Sequence, residues 1–121
     1  MKFNVNVVIN GNAKEEYERL RNAVKEEISK GLAGTTNQTL FNSINQKIEF
    51  LKNDPQYGTH VSRNKIPKEY VILYNVENIW KINLSGAWRM IYTVRGNEIE
   101  ILALILDILD HKDYEKKFGY H

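Results

Sequence analysis

Three polar side chains interrupt two apolar segments in the stretch WKINLSGAWRMIYTV, which runs from Trp80 to Val94. They are Lys81, Asn83 and Arg89. A guanidinium offers a planar fork of donors to phosphate oxygens, and a lysine offers a compact charge or a group that transfers a proton. These residue types therefore suit an anionic ligand, and nearby aromatic rings would suit nucleobases. On residue type alone, the commoner explanation is a solvated strand face whose charges discourage aggregation.

The register of this hairpin decides whether the three side chains lie together. If Leu84 pairs with Trp88 around a Ser-Gly-Ala loop, Lys81 lies opposite Ile91 and Asn83 lies opposite Arg89 on one face. The other face then carries the apolar side chains Trp80, Ile82, Leu84, Trp88, Met90 and Tyr92. A two-residue loop would instead pair Arg89 with Ile82 and mix a cation into the apolar face, which is costly. We therefore predict the first register.

The rest of the chain predicts one α+β domain spanning residues 1–121, because a chain of this length builds a single core. Residues 2–10 alternate as a strand does, and residues 13–32 have the apolar stripe of a helix. A capping box, Thr35-x-x-Gln38, begins a second striped helix, and the pair should cover one face of a sheet. Residues 79–84, 87–94 and 99–106 read as three antiparallel strands. A short final helix follows Asp110, a suitable N-cap. The predicted order is β-α-α-β-β-β, with one helical layer on an antiparallel sheet.

A long basic segment separates the predicted helices from the hairpin, with one short helical turn expected after Pro67. It carries Arg63, Lys65 and Lys68 close together. Long loops in small domains are often functional, but a structural crossing from the helices to the sheet edge explains the segment equally well.

Composition excludes several classes of protein. The chain has no cysteine, and His60, His111 and His121 lack the spacing of metal ligands, so we expect no metal and no cofactor. The net charge of +2 indicates that any nucleic-acid site is a local cluster of cations. The first residues resemble neither a secretory signal nor a membrane span, so we expect a cytoplasmic protein without membrane contact.

From Pro55 to Tyr120 the sequence resembles the RelE/ParE superfamily of type II toxin–antitoxin toxins. The family's C-terminal half has a W-[KR]-[ILV]-x-L strand, a [YW]-R-[ILV]-x-Y strand, a hydrophobic strand and an H-[KR]-x-x-Y-like tail. The corresponding segments here are WKINL, WRMIY, ILALIL and HKDY. The resemblance implies a RelE-like fold, in which a helical hairpin packs on an antiparallel sheet beside a short C-terminal helix.

The resemblance also implies an activity. RelE-like toxins are ribosome-dependent mRNA endoribonucleases (mRNA interferases), in which the RNA's own 2′-OH attacks the adjacent phosphate without metal. By position in the motifs, Lys81 would act as base or charge stabiliser, and Arg89 would clamp the scissile phosphate. Tyr114 would stack on or orient a base, while His111 and Lys112 occupy the tail's cationic positions and could protonate the leaving oxygen.

Auxiliary RNA contacts are expected from Asn83 and from the basic segment with Arg63, Lys65 and Lys68. Asn83 stands where the family often has a second cation. The tail is also acidic, with Asp107, Asp110, Asp113 and Glu115, which would either keep His111 protonated or weaken phosphate binding.

These departures keep an alternative open, a ParE-like gyrase inhibitor or a RelE-fold binding protein that has lost catalysis. Structural roles also stay open for two residues: Tyr114 could pack the last helix onto the sheet, and His111 could form a cap or a salt bridge. The expected partners are a cognate antitoxin in a hetero-oligomer and mRNA on the ribosome.

Overall fold

The computed structural model describes residues 4–97 and 99–119. These residues form an α+β fold with five strands and four α-helices. In chain order the elements are β1 (Asn4–Ile9), α1 (Gly11–Ser29), α2 (Thr36–Asn53), β2 (Thr59–His60), α3 (Lys68–Tyr74), β3 (Trp80–Asn83), β4 (Arg89–Gly96), β5 (Glu100–Leu109) and α4 (His111–Phe118). The last two residues of the sequence, Tyr120 and His121, lie outside the described residues.

The five strands form one mixed sheet in the order β1-β5-β4-β3-β2. The prediction of an antiparallel sheet was wrong in one respect, because β1 pairs with β5 in parallel. An alternating pattern shows which face of a strand is buried but not its direction, so the sequence left this open. Strand β2 lies inside the segment predicted as a loop, where two residues give no detectable period.

The predicted helical hairpin is confirmed. Thr35 caps α2 by accepting a hydrogen bond from the Gln38 backbone amide at 3.1 Å. Leu20 of α1 and Ile44 of α2 are fully buried in a core that includes Ile82, Met90 and other residues of the sheet. The hairpin therefore covers one face of the sheet, the first face.

The opposite face, the second face, is also covered, which corrects the prediction of a single helical layer. Helices α3 and α4 place Tyr70 and Tyr114 against Ile91 and Leu106 in a second buried cluster. Only a turn was predicted after Pro67, because seven residues are too few to show a helical period. The α4 prediction is confirmed: Asp110 accepts a hydrogen bond from the Asp113 amide at 2.8 Å.

The predicted hairpin register is confirmed. Lys81 lies opposite Ile91, Asn83 lies opposite Arg89, and the Leu84 amide donates to the Trp88 carbonyl at 2.9 Å. The intervening residues Ser85–Ala87 form a 3₁₀ turn. As expected, Met90 and Tyr92 are fully buried on the first face, with Trp80 and Trp88 packed beside them.

A bulge in β5 shapes the second face. Ile91 pairs with Asp107 and Tyr92 pairs with Ile105, so Leu106 is the extra residue between them. Leu106 and Asp107 are consequently both buried at the second face. None of the helices in the described part of the chain has the length and hydropathy of a membrane span.

Candidate active site

Three of the predicted catalytic residues meet on the second face, and we call them the Lys81 cluster: Lys81, Arg89 and Tyr114. The Lys81 Nζ donates a hydrogen bond to the Tyr114 hydroxyl at 3.0 Å and lies 5.5 Å from the ring centroid. The Arg89 guanidinium carbon lies 5.3 Å from the same centroid. Two cations from the hairpin thus converge on one tyrosine of α4.

Separate elements hold these side chains in place. The hairpin register makes Lys81 of β3 and Arg89 of β4 diagonal neighbours on the same face of the sheet. Tyr114 is only 4% exposed, and its ring stacks on Phe118 at a centroid distance of 4.7 Å. Tyr114 therefore packs α4 onto the sheet and contacts both cations at the same time. Lys81 and Arg89 are half-buried, whereas Asn83 on the same face is exposed.

Arg89 carries a charge that no carboxylate in residues 4–97 and 99–119 balances. Its described contacts are the Tyr114 ring and the Trp88 carbonyl, to which it donates at 3.2 Å. A half-buried guanidinium without an ion-pair partner attracts an anion, and its fork of donors matches a phosphate group. Arg89 is consequently the side chain in this cluster best suited to bind one.

Asn83 lies next to this cluster at the open end of β3. It is exposed, and it lines a shallow pocket of about 260 Å³ together with Lys81, Lys47 and Tyr57. Its amide can donate to and accept from a ligand but adds no charge. The cluster therefore has two hairpin cations, Lys81 and Arg89, and a neutral neighbour.

His111 and Lys112 lie on the exposed first turn of α4. The His111 Nε2 lies 2.8 Å from the Glu115 carboxylate, one turn along the helix. No hydrogen bond, ion pair or ring contact among the described residues joins either side chain to the Lys81 cluster. A role for them in proton transfer would depend on a substrate that reaches both places.

The acidic residues of the tail differ in their contacts. Asp107 is 3% exposed and belongs to a group that we call the Lys117 cluster: Glu69, Tyr70, Asp107 and Lys117. The Tyr70 hydroxyl donates to Asp107 at 2.7 Å, and Lys117 contacts Asp107 at 3.0 Å and Glu69 at 2.6 Å. Asp110 caps α4, so Glu115 is the acidic residue of this set that contacts His111.

The pKa values of Tyr70 and Lys117 reflect the burial of the Lys117 cluster and the charges within it. Burial, and then the nearby Asp107 charge, raise the pKa of the Tyr70 hydroxyl well above its usual value of 10.0. Burial alone would lower the pKa of Lys117, but hydrogen bonds and attraction to Glu69 and Asp107 outweigh this effect and raise it. Each member of the cluster is satisfied by the others.

The residues of the basic segment are placed elsewhere. Arg63 and Lys65 lie in a 3₁₀ turn, and Lys68 begins α3; all three are exposed. Among the described residues, no hydrogen bond, ion pair or ring contact connects them to the Lys81 cluster. They remain candidates for outer contacts with a long polyanion.

Sequence reasoning missed two groups of residues. The Lys117 cluster joins residues 69 to 117, and only the three-dimensional fold brings them together. Lys47 and Tyr57 also escaped notice, because Lys47 reads as an ordinary solvated residue of α2. The one usable signal for Tyr57 is its place in DPQYG, a turn sequence that must present some side chain at its tip.

Comparisons with known proteins leave the family undetermined. No protein-family model matches the sequence, and no solved structure matches it significantly. A curated relative, 5-methyltetrahydropteroyltriglutamate–homocysteine methyltransferase from Buchnera aphidicola subsp. Schizaphis graminum (strain Sg), is 26% identical over 111 residues. The match covers 71% of this chain but 15% of that enzyme. A similarity this low and partial does not show a shared family. The methyltransferase activity belongs to the Buchnera enzyme and is not transferred to this chain.

Proposed function

We propose that this protein is the toxin of a type II toxin–antitoxin system, a RelE-like endoribonuclease that cleaves mRNA on the ribosome. The observation that carries the proposal is the convergence of Lys81, Arg89 and Tyr114, which the motif resemblance singled out from distant parts of the chain. The order of β1, the helical hairpin and the β3-β4-β5 meander is consistent with a RelE-like fold. An mRNA substrate would place the protein in the cytoplasm.

The proposed reaction needs no group beyond amino-acid side chains. The RNA 2′-oxygen forms a bond to the adjacent phosphorus while the bond to the 5′-oxygen breaks, leaving a 2′,3′-cyclic phosphate and a 5′-hydroxyl. Arg89 binds the non-bridging oxygens, whose charge grows in the transition state. Lys81 accepts the 2′-OH proton as a neutral amine or, as an ammonium group, stabilises that charge while a water molecule takes the proton, and His111 or Lys112 protonates the departing 5′-oxygen.

Burial assigns Tyr114 a different part in this proposal from the base stacking that the resemblance implied. A ring that is 4% exposed and stacked on Phe118 offers no open face to a nucleobase. Its hydroxyl accepts a hydrogen bond from Lys81, so it fixes the ammonium group beside Arg89. Tyr114 is therefore a positioning residue for the two cations.

Primer extension on a defined message in a reconstituted translation system tests the proposal. We expect the wild-type protein to cut the message at the ribosomal A site and Arg89→Ala to leave it intact. Arg95→Ala is the matched control, since Arg95 is an exposed arginine of the same strand. A folded wild-type protein that makes no cuts would refute the proposal.

A second candidate function is inhibition of DNA gyrase, or binding without catalysis, on the same scaffold. Two observations favour it: the neutral Asn83, where the family often has a cation, and the burial of Tyr114. In that case growth arrest would occur with intact messages. A supercoiling assay with purified gyrase separates the candidates, because an endoribonuclease leaves gyrase activity unchanged.

The proposal includes a small acidic antitoxin as partner. Helix α3 exposes three consecutive apolar side chains, Val71, Ile72 and Leu73, of which Ile72 is 79% exposed. An exposed apolar patch of this kind suits a partner segment that lies across it. Co-expression with the neighbouring gene should yield a stable complex that Ile72→Glu weakens. A complex that this variant leaves equally stable would exclude α3 from the interface.

A further inference from the structure

We propose that Lys47, Phe50 and Tyr57, which we call the Tyr57 platform, form a second nucleotide-binding subsite next to the Lys81 cluster. It would take one RNA nucleotide, stacking the base on Tyr57 and contacting a phosphate with Lys47. The inference rests on the proposed action on RNA and adds the residues that hold the nucleotide next to the cleaved one.

The platform is an exposed aromatic ring backed by a second ring and a cation. Tyr57 is 44% exposed, and its ring centroid lies 5.1 Å from that of Phe50. The Lys47 Nζ lies 5.2 Å from the Phe50 centroid and 5.8 Å from that of Tyr57. Stacking on an aromatic ring and attraction to a lysine are the two contacts by which proteins hold single-stranded nucleic acid.

The turn that carries Tyr57 is rigidly attached to the sheet. The Gly58 amide donates to the Tyr92 hydroxyl at 3.0 Å, and this hydroxyl donates to the Pro55 carbonyl at 2.9 Å. Asp54 accepts hydrogen bonds from the Gln56 amide through its carboxylate and from the Tyr57 amide through its carbonyl. A ring fixed before binding loses little conformational entropy when a ligand arrives.

Gly58 shows how closely this turn approaches β3. A Cβ at position 58 would lie 2.6 Å from the Lys81 carbonyl oxygen and 2.9 Å from the Tyr92 hydroxyl. Both neighbours are fixed, so only glycine fits. The close approach sets Tyr57 at the edge of the strand that carries Lys81.

The platform and the Lys81 cluster are continuous. Lys47 and Tyr57 line the 260 Å³ pocket whose other wall is Lys81, Ile82 and Asn83. The described pairing of β2 with β3 stops at Thr59 and Lys81, which leaves the edge of β3 open at Asn83. Asn83 in turn pairs with Arg89. The pocket therefore leads from Tyr57 to Asn83, whose partner across the strand pair is Arg89.

The chemistry of the pocket favours RNA over a peptide. A peptide strand would use the backbone edge of β3 together with pockets for its side chains, whereas the side chains around this edge are an exposed ring, two lysines and an amide. The nearby carboxylate of Asp54 is engaged by the Gln56 amide. A base with its phosphate matches both the ring and the cation.

Fluorescence anisotropy with a labelled six-nucleotide RNA tests the subsite directly. Each 2′-oxygen of the probe is methylated, so that the probe remains an RNA but cannot attack its own phosphates, and binding is measured at low salt. We expect Tyr57→Ala to raise the dissociation constant by about 5- to 100-fold, since a base stacked on an aromatic ring contributes this much. Tyr57→Phe should bind within about twofold of wild type because it keeps the ring.

Lysine variants provide the matched pair. Lys47→Gln should weaken binding and reduce its salt dependence, as expected for a phosphate contact. Lys52→Gln removes the same charge from the same helix, but Lys52 is exposed and pairs with Glu49, so binding should stay unchanged. Thermal unfolding of each variant verifies the fold.

The outcomes separate this inference from the proposed function. Weaker binding by Tyr57→Ala supports the subsite, whether or not the wild-type protein cleaves message. Equal binding by Tyr57→Ala and wild type overturns the subsite, even if cleavage on the ribosome is demonstrated. A wild-type protein that does not bind the probe also overturns it. Absence of cleavage with intact, Tyr57-dependent binding overturns the proposed function and leaves the subsite standing.

Discussion

The Lys117 cluster and the Lys81 cluster lie on the same face of the sheet, and α4 contributes to both. Each sets a lysine beside a tyrosine ring: Lys117 lies 5.2 Å from the Tyr70 centroid and Lys81 lies 5.5 Å from the Tyr114 centroid. The two tyrosines are almost equally buried. The clusters nevertheless differ in charge.

In the Lys117 cluster, two carboxylates neutralise one lysine, and the buried Asp107 is satisfied by two donors. In the Lys81 cluster, the Arg89 guanidinium lies against the ring of Tyr114 and makes no ion pair within the described part of the chain. A balanced buried network holds elements together, whereas a half-buried guanidinium without an ion pair attracts an anion. From this comparison we expect the first cluster to stabilise the fold, and we propose that Arg89 in the second cluster binds a ligand.

The largest effect that tests this comparison should come from Arg89→Ala. We expect the rate of message cleavage to fall by about 100- to 1,000-fold, the usual cost of removing a group that stabilises transition-state charge. The free energy of unfolding should change little, since Arg89 has no buried partner to leave unsatisfied. Urea denaturation and cleavage kinetics measure the two quantities. A variant that keeps its activity, or that loses stability instead, would contradict the assignment.

Asp107→Ala should have the opposite profile. Removing one side of a buried ion pair costs about 3 kcal/mol of unfolding free energy, because Tyr70 loses its acceptor and Lys117 keeps Glu69 alone. Asp113→Ala is the control, because Asp113 is exposed on the first turn of α4. Urea denaturation provides the measurement. A loss no larger than that of the control would mean that the Lys117 cluster does not stabilise the fold.

The two tyrosine-to-phenylalanine variants sharpen the comparison further. Tyr114→Phe keeps the ring on Phe118 but removes the hydroxyl that accepts a hydrogen bond from Lys81, so cleavage should slow by about tenfold with stability nearly unchanged. Tyr70→Phe removes a donor to buried Asp107, so stability should fall by about 1–3 kcal/mol with cleavage unchanged. The two variants are compared by thermal unfolding and by cleavage rate. If both variants changed stability and cleavage rate equally, the proposed difference between the two clusters would be wrong.

Alkaline pH should weaken the Lys117 cluster selectively. Its effect on stability should be smaller than the effects of the substitutions above. The folded pKa values of Tyr70 and Lys117 are both raised, so above about pH 10 the unfolded state loses protons that the folded state retains. Stability is therefore complete below pH 10 and falls as the pH rises. Melting temperatures between pH 8 and 11 should fall more steeply for wild type than for Tyr70→Phe. Parallel curves would count against this reading.

The sequence predicted those parts of the fold that depend on residues close together in the chain, such as turns, alternating strands and helix caps. The Ser-Gly-Ala turn and the alternation around it determined the hairpin register, and Thr35 and Asp110 marked two helix starts. The direction of β1 was not predictable, because alternation is the same in both directions. Nor was α3, whose seven residues expose Ile72 and bury Tyr70 according to contacts made far along the chain.

The candidate site was predictable to a similar extent. The register placed Lys81 and Arg89 on one face, and the motif resemblance added Tyr114. The burial of Tyr114 between α4 and the sheet depends on Phe118 and on residues of the sheet, so the type of residue at position 114 could not reveal it. Likewise, Asp107 looked like one of several tail acids, and only the β5 bulge directs it to Tyr70.

The most direct test of the central claim removes the attacking oxygen from the RNA. Ribosomes stalled on a message with an ordinary A-site codon, or with the same codon in 2′-deoxy form, are incubated with the wild-type protein. The account predicts cleavage of the first, with a 2′,3′-cyclic phosphate at the new end, and none of the second. Equal cleavage of both messages, or no cleavage of either by the folded protein, would contradict it.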